Sequence, residues 1–82
     1  NVDFAGRIIW QELKDAQGNV LTDEQGNPRK HEVFNFGKYK GWDVAEILHK
    51  DPGYYTWVLG SDFTYNTKQV LTRIRLREFN KR

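Results

Sequence analysis

Ile8 and Trp10 alternate with Arg7, Gln11 and Glu12, the period-two pattern of a half-buried strand, and residues 6–13 are accordingly read as one. The pattern resumes over residues 31–36, with either Val33 or the flanking Phe34 and Phe36 as the apolar face. Antiparallel pairing of the two segments is the simplest arrangement. Between them lie two near-copies of one turn signal, Asp15-Ala-Gln-Gly-Asn19 and Asp23-Glu-Gln-Gly-Asn27, flanking Val20-Leu-Thr22. Almost nothing there could anchor a core, which predicts a polar, mobile loop over residues 14–30. The eight-residue spacing is too brief and too isolated to make a repeat architecture.

Two strands alone are marginal, so the stabilising layer has to be helical. Val44, Ile47 and Leu48 recur at helical spacing within residues 42–50, and Pro52-Gly53 stops that helix. A second helix starts near Pro52, whose missing amide hydrogen is no loss in a first turn, and carries Tyr54, Tyr55, Trp57, Val58 and Leu59 to Gly60. In residues 64–79 the signals conflict. Val70, Leu71 and Ile74 fit a helix face, whereas Thr72-Arg-Ile-Arg-Leu-Arg77 alternates as a strand would. A helix is favoured, because Ser61 or Thr64 can cap it and no proline interrupts. The chain thus reads as one α+β domain over residues 1–82: a small antiparallel β-hairpin or sheet, with strand segments in 1–13 and 31–37, covered by three short helices in 42–80.

With 82 residues the core is small, and three Trp, four Tyr and five Phe must supply much of it. Trp42, Tyr54 and Trp57 are expected inside it, and Tyr55, adjacent to Tyr54, on an exposed face. The absence of cysteine excludes disulfides, thiolate metal sites and a cysteine nucleophile, and makes a reducing cytoplasm the expected compartment. No apolar run suggests a membrane span or a signal peptide, so no membrane partner is expected. A chain opening on Asn1 is expected to be excised from a longer polypeptide. Charge is uneven: residues 1–33 hold four Lys/Arg against six Asp/Glu, and residues 34–82 hold nine against five. The basic excess therefore lies in the half that is richest in aromatic residues, as a polyanion binder would have it.

Catalytic chemistry is not legible. Asp43 with Glu46 reads as a solvated helix face, and His31 and His49 stand alone, without ligands at zinc spacing. No glycine-rich phosphate loop is present. Binding chemistry is better represented. Gly37 and Gly41 bracket Lys38, Tyr39 and Lys40 on a tight turn, which offers phosphate-binding ammonium groups and a ring on which a base could stack. The competing reading packs Tyr39 on the core and leaves the lysines to solvate an edge. Arg73, Arg75 and Arg77 on the last helix are further candidate phosphate contacts, or a charged outer face.

The run Phe36-Gly-Lys-Tyr-Lys-Gly41, then Asp51-Pro-Gly-Tyr54, Trp57 and Asp62-Phe63, resembles the accessory domain found C-terminal to the catalytic domain in exodeoxyribonuclease X-like and DNA polymerase III epsilon-subunit-like 3′-to-5′ exonucleases. The likeness covers residues 34–79, with Trp42 standing where that family has a smaller or polar residue. It implies a non-catalytic module of a longer exonuclease. Divalent metal is then expected in the parent's nuclease domain and no cofactor in this one, since the Asp-x-Glu element of the nuclease metal site is missing here. The implied partner is DNA, as single strands or 3′ ends, held by Lys38, Tyr39, Lys40, Tyr55, Arg73, Arg75 and Arg77. The alternative is a module that tethers the exonuclease to a polymerase or another replication or repair protein through an aromatic groove near Tyr54, Tyr55 and Phe63.

Overall fold

Strand β1 (Ile8–Glu12) pairs antiparallel with β2 (Lys30–Phe34) in a computed structural model that describes residues 1–81. Ile8 lies opposite Phe34 and Glu12 opposite Lys30. Burial is confined to one end of this ribbon: Ile8, Val33 and Phe34 are sealed, while Gln11, Glu12 and Lys30 are in solvent. Both of the apolar faces considered for β2 are therefore used, Val33 on one side and Phe34 on the other. The helices cover the buried end, α1 (Val44–Lys50), α2 (Pro52–Gly60) and α3 (Tyr65–Phe79), giving the small α+β arrangement expected. None of the described helices is long and apolar enough to cross a membrane.

The second and third helices start where the sequence signals them, and the first starts at Val44, two residues later than its apolar spacing suggested. Asp43 caps α1 by accepting from the Glu46 amide, Pro52 occupies the first turn of α2, and Thr64 caps α3 by accepting from the Thr67 amide. Asp43 does more than solvate a helix face, since its other oxygen holds His31 Nδ1 at 2.5 Å. In α3 the buried positions are Thr67, Val70, Leu71 and Ile74, so the three-and-four spacing overrides the alternation of residues 72–77. Ile8, Phe34, Val44, Ile47, Leu48, Tyr54, Val58 and the α3 stripe form one core.

The strand segments are shorter than the sequence pattern suggests. Residues 1–7 are not strand but a loop folded over the start of α3, organised by Asp3, which is 1% exposed. Its carboxylate accepts from the amides of Arg7 (2.9 Å) and Ile8 (3.1 Å) and from the Thr67 hydroxyl. At the other end β2 stops at Phe34, three residues short of 37. There the chain turns into a single 3-10 turn, Gly37–Tyr39, with Gly37 at φ 66°, a left-handed angle that a strand residue does not adopt.

Residues 14–30 are built as two copies of one turn. Asp15 Oδ1 accepts from the Gln17 and Asn19 amides, and Asp23 Oδ1 accepts from the Gln25 and Asn27 amides in the same way. Gly18 and Gly26 supply the left-handed residues. The eight-residue spacing has a structural meaning. Leu13 N–H donates to Arg29 O, Arg29 N–H to Leu21 O and Leu21 N–H to Leu13 O, at 2.8 to 2.9 Å, closing a ring where the two turns meet the end of the ribbon.

Two outcomes are expected. Amide exchange within residues 13–30 should be slowest at Leu13, Leu21 and Arg29 and fast at the turn tips, with tip order parameters below those of α2; uniformly fast exchange would show that the ring does not persist. Asp3→Ala leaves two amides and a buried hydroxyl without an acceptor, and should cost about 2 to 4 kcal/mol in urea unfolding, with Asp3→Asn milder because it keeps one acceptor oxygen.

Candidate functional site

The glycine-bracketed turn is fixed by backbone hydrogen bonds before any side chain is considered. Beyond β2, Phe34 N–H donates to Trp42 O at 3.0 Å and its carbonyl accepts from Gly41 N–H at 2.7 Å, which closes residues 35–41 into a loop. Within it Lys40 N–H donates to Gly37 O, and Trp42 N–H to Tyr39 O. Gly37 is required for its angle, and a Cβ there would stand in van der Waals contact with the Tyr54 hydroxyl oxygen, 3.4 Å away.

This loop carries Lys38 and Tyr39 to the start of α2. The Tyr39 hydroxyl donates to Asp51 Oδ2 at 2.7 Å, and Lys38 Nζ stands 3.9 Å from the same oxygen. Lys38 Nζ is also 5.0 Å and 5.7 Å from the ring centroids of Tyr39 and Tyr54, within cation–π reach. Gly37, Lys38, Asp51, Gly53, Tyr54 and Trp57 line an open groove of about 490 Å³. Lys40 is exposed beside it in sequence.

Of the three aromatics expected inside, Tyr54 is buried but Trp42 and Trp57 are not: they are 42% and 55% exposed. Trp42 precedes the cap of α1, so helical spacing does not govern it. In α2 the core stripe is Tyr54 and Val58, four apart, which leaves Trp57 on the flank. The consequence is a continuous aromatic band. Trp42, Tyr39, Tyr54, Trp57, Phe63 and Phe36 follow one another at centroid separations of 4.8 to 6.0 Å. Cations stand over it along its length, Lys50 over Trp42, Lys38 over the two tyrosines and Arg7 over Phe63 and Phe36.

The remaining candidates lie elsewhere. Tyr55 is turned onto α3, its hydroxyl 2.9 Å from Thr72 Oγ1 and its ring beneath the Arg75 guanidinium, so it is not an open stacking platform. Tyr54 and Tyr55 thus face different neighbours. A step of two residues turns about 200° around a helix, which sets Arg75 on the side of α3 away from Arg73 and Arg77. Arg75 sits over Tyr55 and Phe79, whereas Arg77 makes a bidentate pair with the buried Glu32 at 2.7 and 3.1 Å. The Glu32 hydrogen bonds raise the Arg77 pKa further above its ordinary range. Arg73 lines a second groove with Leu59, Tyr65 and Leu76. Asp51, Trp57, Trp42, Lys50 and Arg7 were not singled out by sequence reasoning as members of a site. The acidic residue directly before Pro52-Gly53 was the available signal for Asp51. Among the described residues no three His, Asp or Glu side chains come together as a metal-binding group.

Tyr39 and Tyr54 both have raised pKa values, Tyr39 through its hydrogen bond to Asp51 and Tyr54 through burial and then the Asp51 charge. Their contribution to stability is fully present below the ordinary tyrosine value of about 10 and is lost as pH rises through the higher folded values. Tyrosinate absorbance should show two late-ionising groups in the folded chain, and Tyr39→Phe should remove one of them.

Comparison with known proteins concentrates on the same stretch. Exodeoxyribonuclease 10 of Escherichia coli strain K12 is 37% identical over 41 residues, which are 50% of this chain and 19% of that protein. The protein of the same name from Escherichia coli O6:H1 strain CFT073 matches equally. The match thus spans about a fifth of the length of these curated relatives. No solved structure matches at comparable significance. Residues 34–61 match the family described as Exodeoxyribonuclease X-like C-terminal, and every residue lining the first groove falls within them, whereas the α3 arginines do not. Residues 34–61 of this chain are thus similar to the exodeoxyribonuclease X-like C-terminal domains.

Proposed function

We propose that the chain is a non-catalytic accessory domain of a 3′-to-5′ exonuclease and that it holds single-stranded DNA along the band between Trp42 and Trp57. The likeness to exodeoxyribonucleases supports the exonuclease context; attachment to a DNA polymerase III epsilon-type enzyme is the finer part of the proposal. The observation that carries the DNA reading is the pairing of two half-exposed tryptophans with Lys38 and Lys50 over one run of rings. Bases stack on such rings at about 1 to 3 kcal/mol each, and ammonium groups beside them meet the phosphates. In a parent enzyme, such contacts raise the local concentration of strand ends without reading sequence through the backbone. Within the earlier candidate set, Lys38 and Lys40 keep this role and Tyr39 becomes the support that positions Lys38. Arg75 and Arg77 are engaged within the chain.

A protein-docking reading has its own observation. Leu59, Tyr65 and Leu76 are 36%, 76% and 54% exposed around a second groove of about 600 Å³. Salt separates the two, since phosphate binding weakens steeply with ionic strength and an apolar contact does not.

Lys38→Ala with Lys40→Ala should weaken binding of a labelled single strand at low salt and flatten the plot of log affinity against log salt by about 1.4 in slope, two phosphates at ~0.7 each. Trp57→Ala should cost about 1 to 3 kcal/mol with the salt slope unchanged. Wild-type chain that binds no oligonucleotide at low salt, with Gly37 and Trp57 amides unmoved in a titration, would overturn the reading.

A further inference from the structure

Resting on the DNA reading of the same groove, we infer that Asp51 makes it selective for bases carrying an exocyclic amine and unfavourable to thymine. The two oxygens of this carboxylate have different surroundings. Oδ2 accepts from Tyr39 and faces Lys38, whereas Oδ1 accepts no hydrogen bond from the described residues. Oδ1 lies 3.8 Å from the point where a Cβ on Gly53 would stand, and both residues line the groove. The Asp51 side chain is 34% exposed and forms part of the groove wall.

Anchoring Tyr39 and Lys38 occupies only Oδ2, and a carboxylate repels the phosphates that Lys38 would meet, so the second oxygen is suited to a different part of the ligand. A base edge does suit it. Ionised carboxylate accepts and never donates. Cytosine N4, adenine N6 and guanine N2 are amine donors, whereas thymine presents the O4 carbonyl where cytosine presents N4. With a base laid beside Trp57, an amine can reach Asp51 Oδ1 while the adjoining phosphate meets Lys38, which is 66% exposed. In thymine the one donor on that edge, N3–H, is flanked by the O4 and O2 carbonyls, so an approaching carboxylate meets carbonyl oxygen on either side, where cytosine offers N4 at the corner of the ring. Lys38, beside the carboxylate, also disfavours an ammonium or guanidinium ligand in the same place.

The test compares oligodeoxycytidylate and oligodeoxythymidylate of equal length, binding to the 82-residue chain at neutral pH and low salt by fluorescence anisotropy. The two pyrimidines stack alike, so their ratio reports the edge contact. Wild type should prefer cytosine about fivefold or more. Asp51→Asn, whose amide can donate to a carbonyl, should tighten thymine binding more than cytosine binding and bring the ratio close to one. A substrate-side change needs no variant: N4,N4-dimethylcytosine lacks both amine hydrogens and should bind wild type no better than thymine does. Equal wild-type affinities, a preference that survives Asp51→Asn, or full affinity for the dimethylated oligomer each overturns the Asp51 inference while DNA binding itself stands. Failure of every oligomer to bind removes the DNA reading and this inference with it.

Discussion

Phe34 is the residue on which both halves of the molecule depend. Its side chain is 1% exposed and meets the rings of Phe36 and Tyr54 edge-on. Its backbone looks away from β1 and instead receives the chain returning at Gly41 and Trp42. In an antiparallel pair, alternate residues direct their N–H and C=O groups outward, and Phe34 is the last strand residue to do so. One position therefore ends the sheet, fills the core and closes the turn that carries Lys38. A smaller residue would leave a cavity between sheet and α2 and loosen the support of the groove together with the fold.

The helices were legible because each depends on local chemistry: a capping side chain, a proline in a first turn, and an apolar stripe at three-and-four spacing. Thr64, Pro52 and the set Val70, Leu71 and Ile74 each act where the sequence puts them. Tyr54 was legible as core for the same reason. Trp42 and Trp57 were not, since size alone does not send a side chain inward. The first lies outside any helix, and the second is displaced from the stripe by Val58, a smaller residue at the better position.

Long-range pairing accounts for most of the remaining differences. Arg77 looks like one of three equivalent cations until Glu32, 45 positions away, takes its guanidinium. Asp3 looks like a polar terminal residue until Thr67, 64 positions away, meets it. Within the groove, Lys38 was legible from its glycine bracket, but Asp51 acquires its role only when Tyr39 folds across to it from twelve residues away. Local periodicity carries no information about such partners, which is why the arrangement of rings and cations had to be read from the folded chain.

The ring formed by Leu13, Leu21 and Arg29 has a consequence for how the length of this protein can vary. Each eight-residue unit begins and ends on a member of the ring, so excising residues 14–21 would merge the roles of Leu13 and Leu21 in one residue. That residue would donate to Arg29 O and accept from Arg29 N–H, the two bonds of an ordinary hydrogen-bonded pair in a hairpin. The ring would collapse into plain ribbon with no change of register between β1 and β2. The chain can thus gain or lose a whole turn unit in one genetic step at this end, while the buried end, with its groove, goes on folding as before.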